Sequence, residues 1–339
     1  MKRVGDLRTP ALVIERSALE ANLAEMARAR PGSSLRPHVK AHKTTALARL
    51  QREAGHVGFT CATVEEVVGM ARAGLDDDLL LANEVVDVGK LAEANQAARR
   101  LTVAVDSAET IDAAANAGIA EVLVDVDVGL PRCGAPPEQA RALAERARVA
   151  GLEVRGVMGY EGHLMMVLDP EERREKVRAA MAALLGAAAE VGGAVVSAGG
   201  TGTYRENTWA TEIQAGSYLL MDTDYSRSDL PFANALFVLA TVVSVTAARA
   251  GRPGWAVADA GLKAFSVEHG NPGLPGATVW FCSDEHTTFS REDQPLEKVG
   301  DRVRLVPSHV DPTMNLHPFA YLVDGDDVIE RWPVDLRRA

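Results

Sequence analysis

A lysine that closes a short apolar run can bond an aldehyde, and Lys40 has that position. It follows "SLRPHV" in the stretch "SLRPHVKAHKTT", with Arg36, His38, His42 and Lys43 near it in sequence. Apolar enclosure and neighbouring cations both disfavour the ammonium form, so the amine there is expected to be nucleophilic toward a carbonyl. Much later in the chain come "SAGGTGTY" (Ser197 to Tyr204) and "QAGSYLL" (Gln214 to Leu220), where glycines and small hydroxyl residues let backbone N–H groups close on a dianion. An amine that seeks aldehydes, paired with a phosphate cup, points to pyridoxal 5'-phosphate, an aldehyde with a phosphate tail. His309 and Asp311 offer separate chemistry. Two residues apart in "PSHVDPTMNLH", they would face the same side of a strand, and nitrogen plus oxygen ligation suits Mn²⁺ or Mg²⁺, with Zn²⁺ accepting the same donors.

Such residues need a scaffold that brings distant segments to one place. Along residues 34–220, short β-branched runs alternate with Ala/Leu/Arg/Glu stretches of helical period. Eight strand candidates stand out: "SLRPHV", "VGFTCA", "DLLLA", "LTVAVD", "EVLVDVD", "VRGVMGY", "AVVSAG" and "TEIQAG". Strands so continuously apolar have both faces covered, which fits the α/β class and a closed (β/α)8 TIM barrel. In such barrels the chemistry sits where strands end, and phosphate sites commonly follow the last two. Two helices are expected to open on Ser/Thr-x-x-Glu caps, at Ser17 to Glu20 and Thr63 to Glu66. After about residue 235 the runs become strand-like, and Asp324-Gly325 marks a hairpin turn in "FAYLVDGDDVIERW". The expected organisation is a barrel over 13–234 and a C-terminal all-β domain over 235–339, with residues 1–12 free to join either.

Composition narrows the partners. The chain has 339 residues, and its 36 Lys+Arg against 47 Asp+Glu give a net charge of −11 with no long basic block, which argues against nucleic acid. The most apolar segment, Ala235 to Ala248, is too short to span a membrane and carries threonines and a serine, so no membrane partner is expected. Cys61, Cys133 and Cys282 are odd in number and lack metal-type spacing. With no secretory stretch at the start, they read as reduced thiols of a cytoplasmic protein.

Six ordered motifs carry a resemblance. "RPHVKAHK", "VDVGLPRCG", "GYEGH", "SAGGTGTY", "EIQAGSYLLMD" and "PSHVDPTMNLH" resemble the D-threonine aldolase and D-serine dehydratase family, relatives of alanine racemase among fold type III pyridoxal-phosphate enzymes. The similarity runs from Ala11 to about Trp332. It implies a cofactor-bearing barrel, a C-terminal β domain and a homodimer. By that resemblance Lys40 holds the cofactor aldehyde, and the backbone at Gly200, Thr201, Gly216, Ser217 and Tyr218 holds the phosphate. Arg132 lies near the ring hydroxyl or pyridine edge, with Tyr160 beside the cofactor. Gln214 stands where alanine racemases place an arginine against the pyridine nitrogen. His163 stacks on the ring or takes a proton, and His309 and Asp311 bind the metal. The D-serine dehydratase branch typically has a cysteine at the second metal position, so this chain departs from it at Asp311.

The activity this implies is a lyase reaction, retro-aldol cleavage of a β-hydroxy-D-amino acid such as D-threonine to glycine and an aldehyde. The metal would act as a Lewis acid on the β-hydroxyl, with His163 or a water on the metal as base. Dehydration of D-serine or a 3-hydroxy-D-aspartate is the alternative on the same scaffold. A non-catalytic cofactor carrier does not need the C-terminal residues, and alanine racemization calls for a tyrosine base instead of a metal pair.

Overall fold

Residues 3–337 are described by a computed structural model, in which the chain forms two compact units, one of 24–216 with 336–337 and one of 3–23 with 217–335. Strand β1 (Ala11–Glu15) leads directly into helix α1 (Arg16–Ala29), which therefore starts one residue before the expected cap, Ser17. Then follow α2 (Thr45–Glu53), β2 (Gly58–Cys61), α3 (Val64–Arg72), β3 (Asp78–Leu81), α4 (Val88–Ala97), β4 (Leu101–Val105) and α5 (Ala108–Asn116). The pattern continues through β5 (Glu121–Asp125), α6 (Ala140–Val149), β6 (Glu153–Gly159), α7 (Pro170–Val191), β7 (Val195–Ala198) and β8 (Glu212–Ile213). Strands β2 to β8 form one parallel sheet in sequence order. Thr63 caps α3 as expected, its hydroxyl accepting the Glu66 N–H at 3.2 Å.

The barrel closes through a segment that is not a regular strand. Leu35 bridges Ile213 and His38 bridges Thr60, both parallel, so Leu35–His38 joins β8 to β2. Arg36 N–H donates to Ile213 (2.9 Å), His38 N–H to Ala215 (3.0 Å), and Pro37 C=O accepts Thr60 N–H (2.9 Å). The expectation of a full strand at "SLRPHV" is corrected here. Pro37 has no N–H to continue a ladder, and three-ten turns at Gly32–Ser34 and Val39–Ala41 shorten the segment from both ends. Lys40 accordingly sits inside the second turn. No helix separates β7 from β8; turns fill that stretch.

Ionic contacts make up for the short ladder. Arg36 reaches into the barrel floor, donating to Glu212 of β8 at 2.7 Å and to the Asp78 carboxylate of β3 at 2.8 Å. A β-bulge in β6 shifts the register between Val122 and Leu123 of the facing strand and accommodates Arg155, which bonds Asp78 (2.9 Å) and Thr102 (2.6 Å). Two glycines make room. A Cβ on Gly58 would lie 2.7 Å from the Arg36 guanidinium, and one on Gly156, whose φ is +148°, would lie 2.0 Å from the Val195 carbonyl. Leu80, Ala104, Leu123 and Met158 form an apolar cluster of their own within this unit.

The other unit contains β9 (Leu236–Thr246), β10 (Trp255–Ala258), β11 (Ala277–Cys282), β12 (Thr287–Arg291), β13 (Arg302–Leu305), α8 (Val310–Leu316), β14 (Phe319–Asp324) and β15 (Asp327–Pro333). Its sheet runs β11-β12-β10-β9-β1-β14-β15, with β13 also on β9. The N-terminal segment thus joins this sheet through β1, between β9 and β14. The expected hairpin is present, with Asp324 opposite Asp327 and Gly325 at φ +58°. The unit is not all-β. "HVDPTMNL" begins a helix because Asp311 sits in its first turn, where a carboxylate meets the positive dipole end, and Pro312 fits a turn whose N–H groups have no intrahelical partner.

Burial pushes the Asp78 carboxyl upward, but Arg155 and Arg36 together outweigh that and hold it at about 2. A depressed carboxyl contributes stability above its unfolded pKa of about 3.9, and that contribution is lost as pH falls toward the folded value. Asp78→Asn is expected to cost about 3–5 kcal/mol near neutral pH, because it strips two guanidiniums of a shared partner. Urea denaturation of both proteins checks this. The gap should shrink as pH drops through the window from about 4 to about 2; a gap independent of pH contradicts the assignment.

Candidate active site

The turn Val39–Ala41 carries Lys40, and its neighbours hold that turn. The His38 ring nitrogen Nδ1 accepts the Lys40 N–H at 3.4 Å. Gly216, just past β8, packs so closely that a Cβ would meet the His38 carbonyl at 2.5 Å and Ala41 Cβ at 2.9 Å. The cations clustered here in sequence each have their own anionic or polar partner. Arg36 is taken by Asp78 and Glu212, Lys43 pairs with the buried Glu66, and His42 Nε2 lies 3.2 Å from the Gln51 side-chain oxygen. His42 Nδ1 accepts the Thr44 N–H at 3.2 Å, so its proton is on Nε2 and the ring is structural.

Around the ends of β5, β6 and β7 a second group assembles. The Arg132 guanidinium carbon lies 5.4 Å from the centre of the Tyr160 ring, within cation–π range. Tyr160 borders Gly200, where a Cβ would fall 3.4 Å from its ring and 2.7 Å from Met165 sulfur. His163 is exposed, and its ring lies over Gly129, where a Cβ would come within 3.0 Å of it. Gln214 donates to Ser197 Oγ at 2.9 Å, tying the ends of β7 and β8 together. Tyr160 thus meets both Arg132 and Gly200, while Gly216 packs on the turn that carries Lys40. Ser217 and Tyr218 follow Gly216 in a three-ten turn, Ser217–Leu219, of the other unit.

Burial first, then the charge of Glu84, push the Asp125 carboxyl at the end of β5 well above the usual range. Cys133 is pushed up to about 11 by burial and then Glu84. Burial also raises the Cys61 and Cys282 thiols. None of the three is a thiolate nucleophile near neutral pH.

In the β unit, His309 has extended backbone immediately before α8, and Asp311 lies in its first turn. The strand geometry expected for this pair is replaced by a helix start, yet His309 Nε2 and Asp311 Oδ1 stand 3.9 Å apart. That spacing is within twice a metal–ligand bond of about 2.0–2.2 Å, so one ion can touch both. Ser217 Oγ is 3.5 Å from Asp311 Oδ1. The buried Asp222 accepts the N–H groups of Val310 and Tyr225, each at 3.0 Å, and fixes the helix start; burial lifts its carboxyl to about 6 against those two bonds.

The donor set in the barrel fits an aldehyde-bearing phosphate ester: one primary amine, one guanidinium, one side-chain amide and glycine-rich backbone at the strand ends. The donor set at His309 and Asp311 fits a divalent cation. Glu161 was not legible as part of this. It is fully buried, and its carboxylate accepts Gly199 N–H, Thr203 Oγ–H and Asn207 Nδ–H, each at 3.0 Å, which pins the "GGTGT" loop. A charged residue in the apolar-flanked "GYEGH" was the available signal, since a buried carboxylate must find donors. Asp222, Glu268 and His269 were missed because their partners lie about 40 to 90 residues away in sequence.

Residues 14–224 match the family model of the alanine racemase N-terminal domain, and residues 235–323 that of a serine dehydratase domain. A D-threonine aldolase from Arthrobacter sp is 37% identical, over 97% of this chain and 92% of its own length. A 3-hydroxy-D-aspartate aldolase from Paracoccus denitrificans (strain Pd 1222) is 36% identical over 98% and 92%. The crystal structure of a D-threonine aldolase from Filomicrobium marinum is similar with a TM-score of 0.91 at 36% identity, covering 99% of this chain and 97% of that one. A D-threo-3-hydroxyaspartate dehydratase from Delftia sp. HT23 has a TM-score of 0.86 at 26% identity, with coverage of 98% and 99%; a variant of that enzyme was solved in a metal-free form.

Glu161→Ala is expected to destabilise the protein by about 3–5 kcal/mol, since three buried donors lose their acceptor at about 1–3 kcal/mol each, partly recovered by relaxation. Glu161→Gln, which keeps one acceptor oxygen, should cost less. Urea midpoints measure both. A loss under about 1 kcal/mol for the alanine variant would show that the loop does not depend on this carboxylate.

Proposed function

This chain belongs to the alanine racemase-like family that includes the D-threonine and 3-hydroxy-D-aspartate aldolases, and from that membership we propose that it is a pyridoxal-phosphate lyase cleaving β-hydroxy-D-amino acids to glycine and an aldehyde. The observation that carries the reading is the joint presence of Lys40 in the turn that follows the closing segment and of His309 and Asp311 3.9 Å apart, in a chain 37% identical to a D-threonine aldolase. D-Threonine is the proposed substrate type, with 3-hydroxy-D-aspartate within the same class.

Bound pyridoxal phosphate supplies an electron sink for the pair released as the Cα–Cβ bond breaks. The residues that would hold it are Lys40 at the aldehyde, Arg132, Tyr160 and Gln214 at the ring, and backbone of Gly200, Thr201, Gly216, Ser217 and Tyr218 at the phosphate. A divalent cation, Mn²⁺ or Mg²⁺ by its donors, would be held by His309 and Asp311 and supply Lewis acidity toward a substrate hydroxyl. His163, exposed beside Gly129, is positioned to exchange a proton with solvent and serves as the proposed acceptor for the hydroxyl proton. Asp222 and Glu161 touch no reacting atom in this reading; they hold the backbone on which the reacting groups sit.

The protein is proposed to act on a dissolved small molecule in the cytoplasm, as a homodimer, without nucleic acid or membrane. Its net charge of −11 argues against nucleic acid, and among the described residues no helix is long and apolar enough to cross a membrane.

Purified protein loaded with cofactor and Mn²⁺ should release glycine and aldehyde from D-threonine or 3-hydroxy-D-aspartate and not from the L isomers. His309→Ala and Asp311→Asn should each lower kcat/KM by roughly a hundredfold or more while the cofactor absorbance stays, because a Lewis acid contributes several kcal/mol. Ammonia as the first product would establish dehydration instead. Activity indifferent to chelation would remove the metal from the reaction.

A further inference from the structure

We propose that Glu268 is a positioning residue that sets the tautomer and ring plane of His309, so that Nε2 is the nitrogen offered to the cation shared with Asp311. The two ring nitrogens of His309 point to different carboxylates. Nδ1 lies 3.1 Å from Glu268 Oε2, while Nε2 lies 3.9 Å from Asp311 Oδ1. A neutral imidazole has one N–H, and an ionised carboxylate can only accept. The proton therefore sits on Nδ1 toward Glu268, and the Nε2 lone pair is left facing Asp311.

His269 fixes the remaining freedom of the ring. It stacks on His309 with centroids 4.6 Å apart and planes 13° from parallel. Its own Nδ1 is held at 3.1 Å by Asp224, and Nε2 lies 3.6 Å from the other Glu268 oxygen. The segment bearing both residues is clamped to the start of α8. Ser266 N–H donates to Thr313 Oγ (3.1 Å), Thr313 Oγ–H donates to the His309 carbonyl (2.7 Å), and Ser308 Oγ–H donates to the Ser266 carbonyl (2.9 Å). The competing arrangement has the cation directly on Glu268, His269 and His309, whose ligand atoms lie within 4.8 Å of one another. The Nε2 assignment is the stronger, because the Asp311 side chain is 15% exposed and the Glu268 side chain 57%, so the ion is better shielded from water beside Asp311.

The inference rests on the proposed metal role of His309 and Asp311, and its test separates the two. Mn²⁺ is titrated into chelator-treated protein that retains its cofactor, with free Mn²⁺ read by electron paramagnetic resonance, for the native chain, Glu268→Gln and Glu268→Ala. The alanine variant should bind about tenfold more weakly, at the low end for lost outer-shell partners because the carboxylate is exposed. Glutamine, whose amide oxygen still accepts the Nδ1 proton, should recover most of that loss. Equal and large losses in both variants would make Glu268 a direct ligand and overturn the proposal, as would unchanged binding in both. If the native chain binds no Mn²⁺, the metal reading itself fails and takes the inference with it.

Discussion

The guanidinium of Arg36 is the contact on which the barrel most depends. A parallel barrel must pair its first segment with both the second strand and the last, and here that segment contributes only two bridges, because Pro37 cannot donate and turns flank it. Arg36 bonds the last strand through Glu212 and β3 through Asp78, and Gly58 leaves space for it on β2. Buried ions of this kind add little net stability, but losing one partner costs about 3–5 kcal/mol because the other charge is left buried and unpaired. The closing segment is thereby held in register, and four residues further on the chain presents Lys40.

The same device recurs on the chemical side of each unit. A buried carboxylate gathers N–H groups from the stretch that carries the reacting residues: Glu161 takes Gly199 beside the glycine-rich loop, and Asp222 takes Val310 between His309 and Asp311. Both stretches are irregular backbone, a loop and a helix start, whose N–H groups have no ladder partner. Charge-assisted bonds make such backbone rigid, which a site needs more than it needs regular secondary structure.

Much of this was legible in the sequence, for identifiable reasons. Seven barrel strands declare themselves through apolar runs with both faces covered, the Thr63 cap through its glutamate three residues on, and the final hairpin through Asp324-Gly325. The closing segment was read as a strand because periodicity sees Leu35 and Val39 but not the ladder bond that Pro37 removes. His309 and Asp311 were matched correctly in spacing and wrongly in conformation, since one residue between two side chains brings them together at a helix start as well as along a strand. The partners of the cationic run around Lys40 were out of reach for another reason. Partners as far away as Asp78 and Glu212 neutralise Arg36, and no local window contains them. Glu161, Asp222 and Glu268 stayed hidden for the same cause, because a carboxylate's role is set by donors that only the fold brings near.

The central claim is that the Lys40 amine is the group that bonds the cofactor. Borohydride reduction of the pyridoxal-phosphate-loaded protein, followed by peptide mass mapping, tests it most directly. The account predicts a single phosphopyridoxyl adduct, on Lys40. An adduct on another lysine, or an unmodified Lys40 in protein that has bound the cofactor, would contradict it.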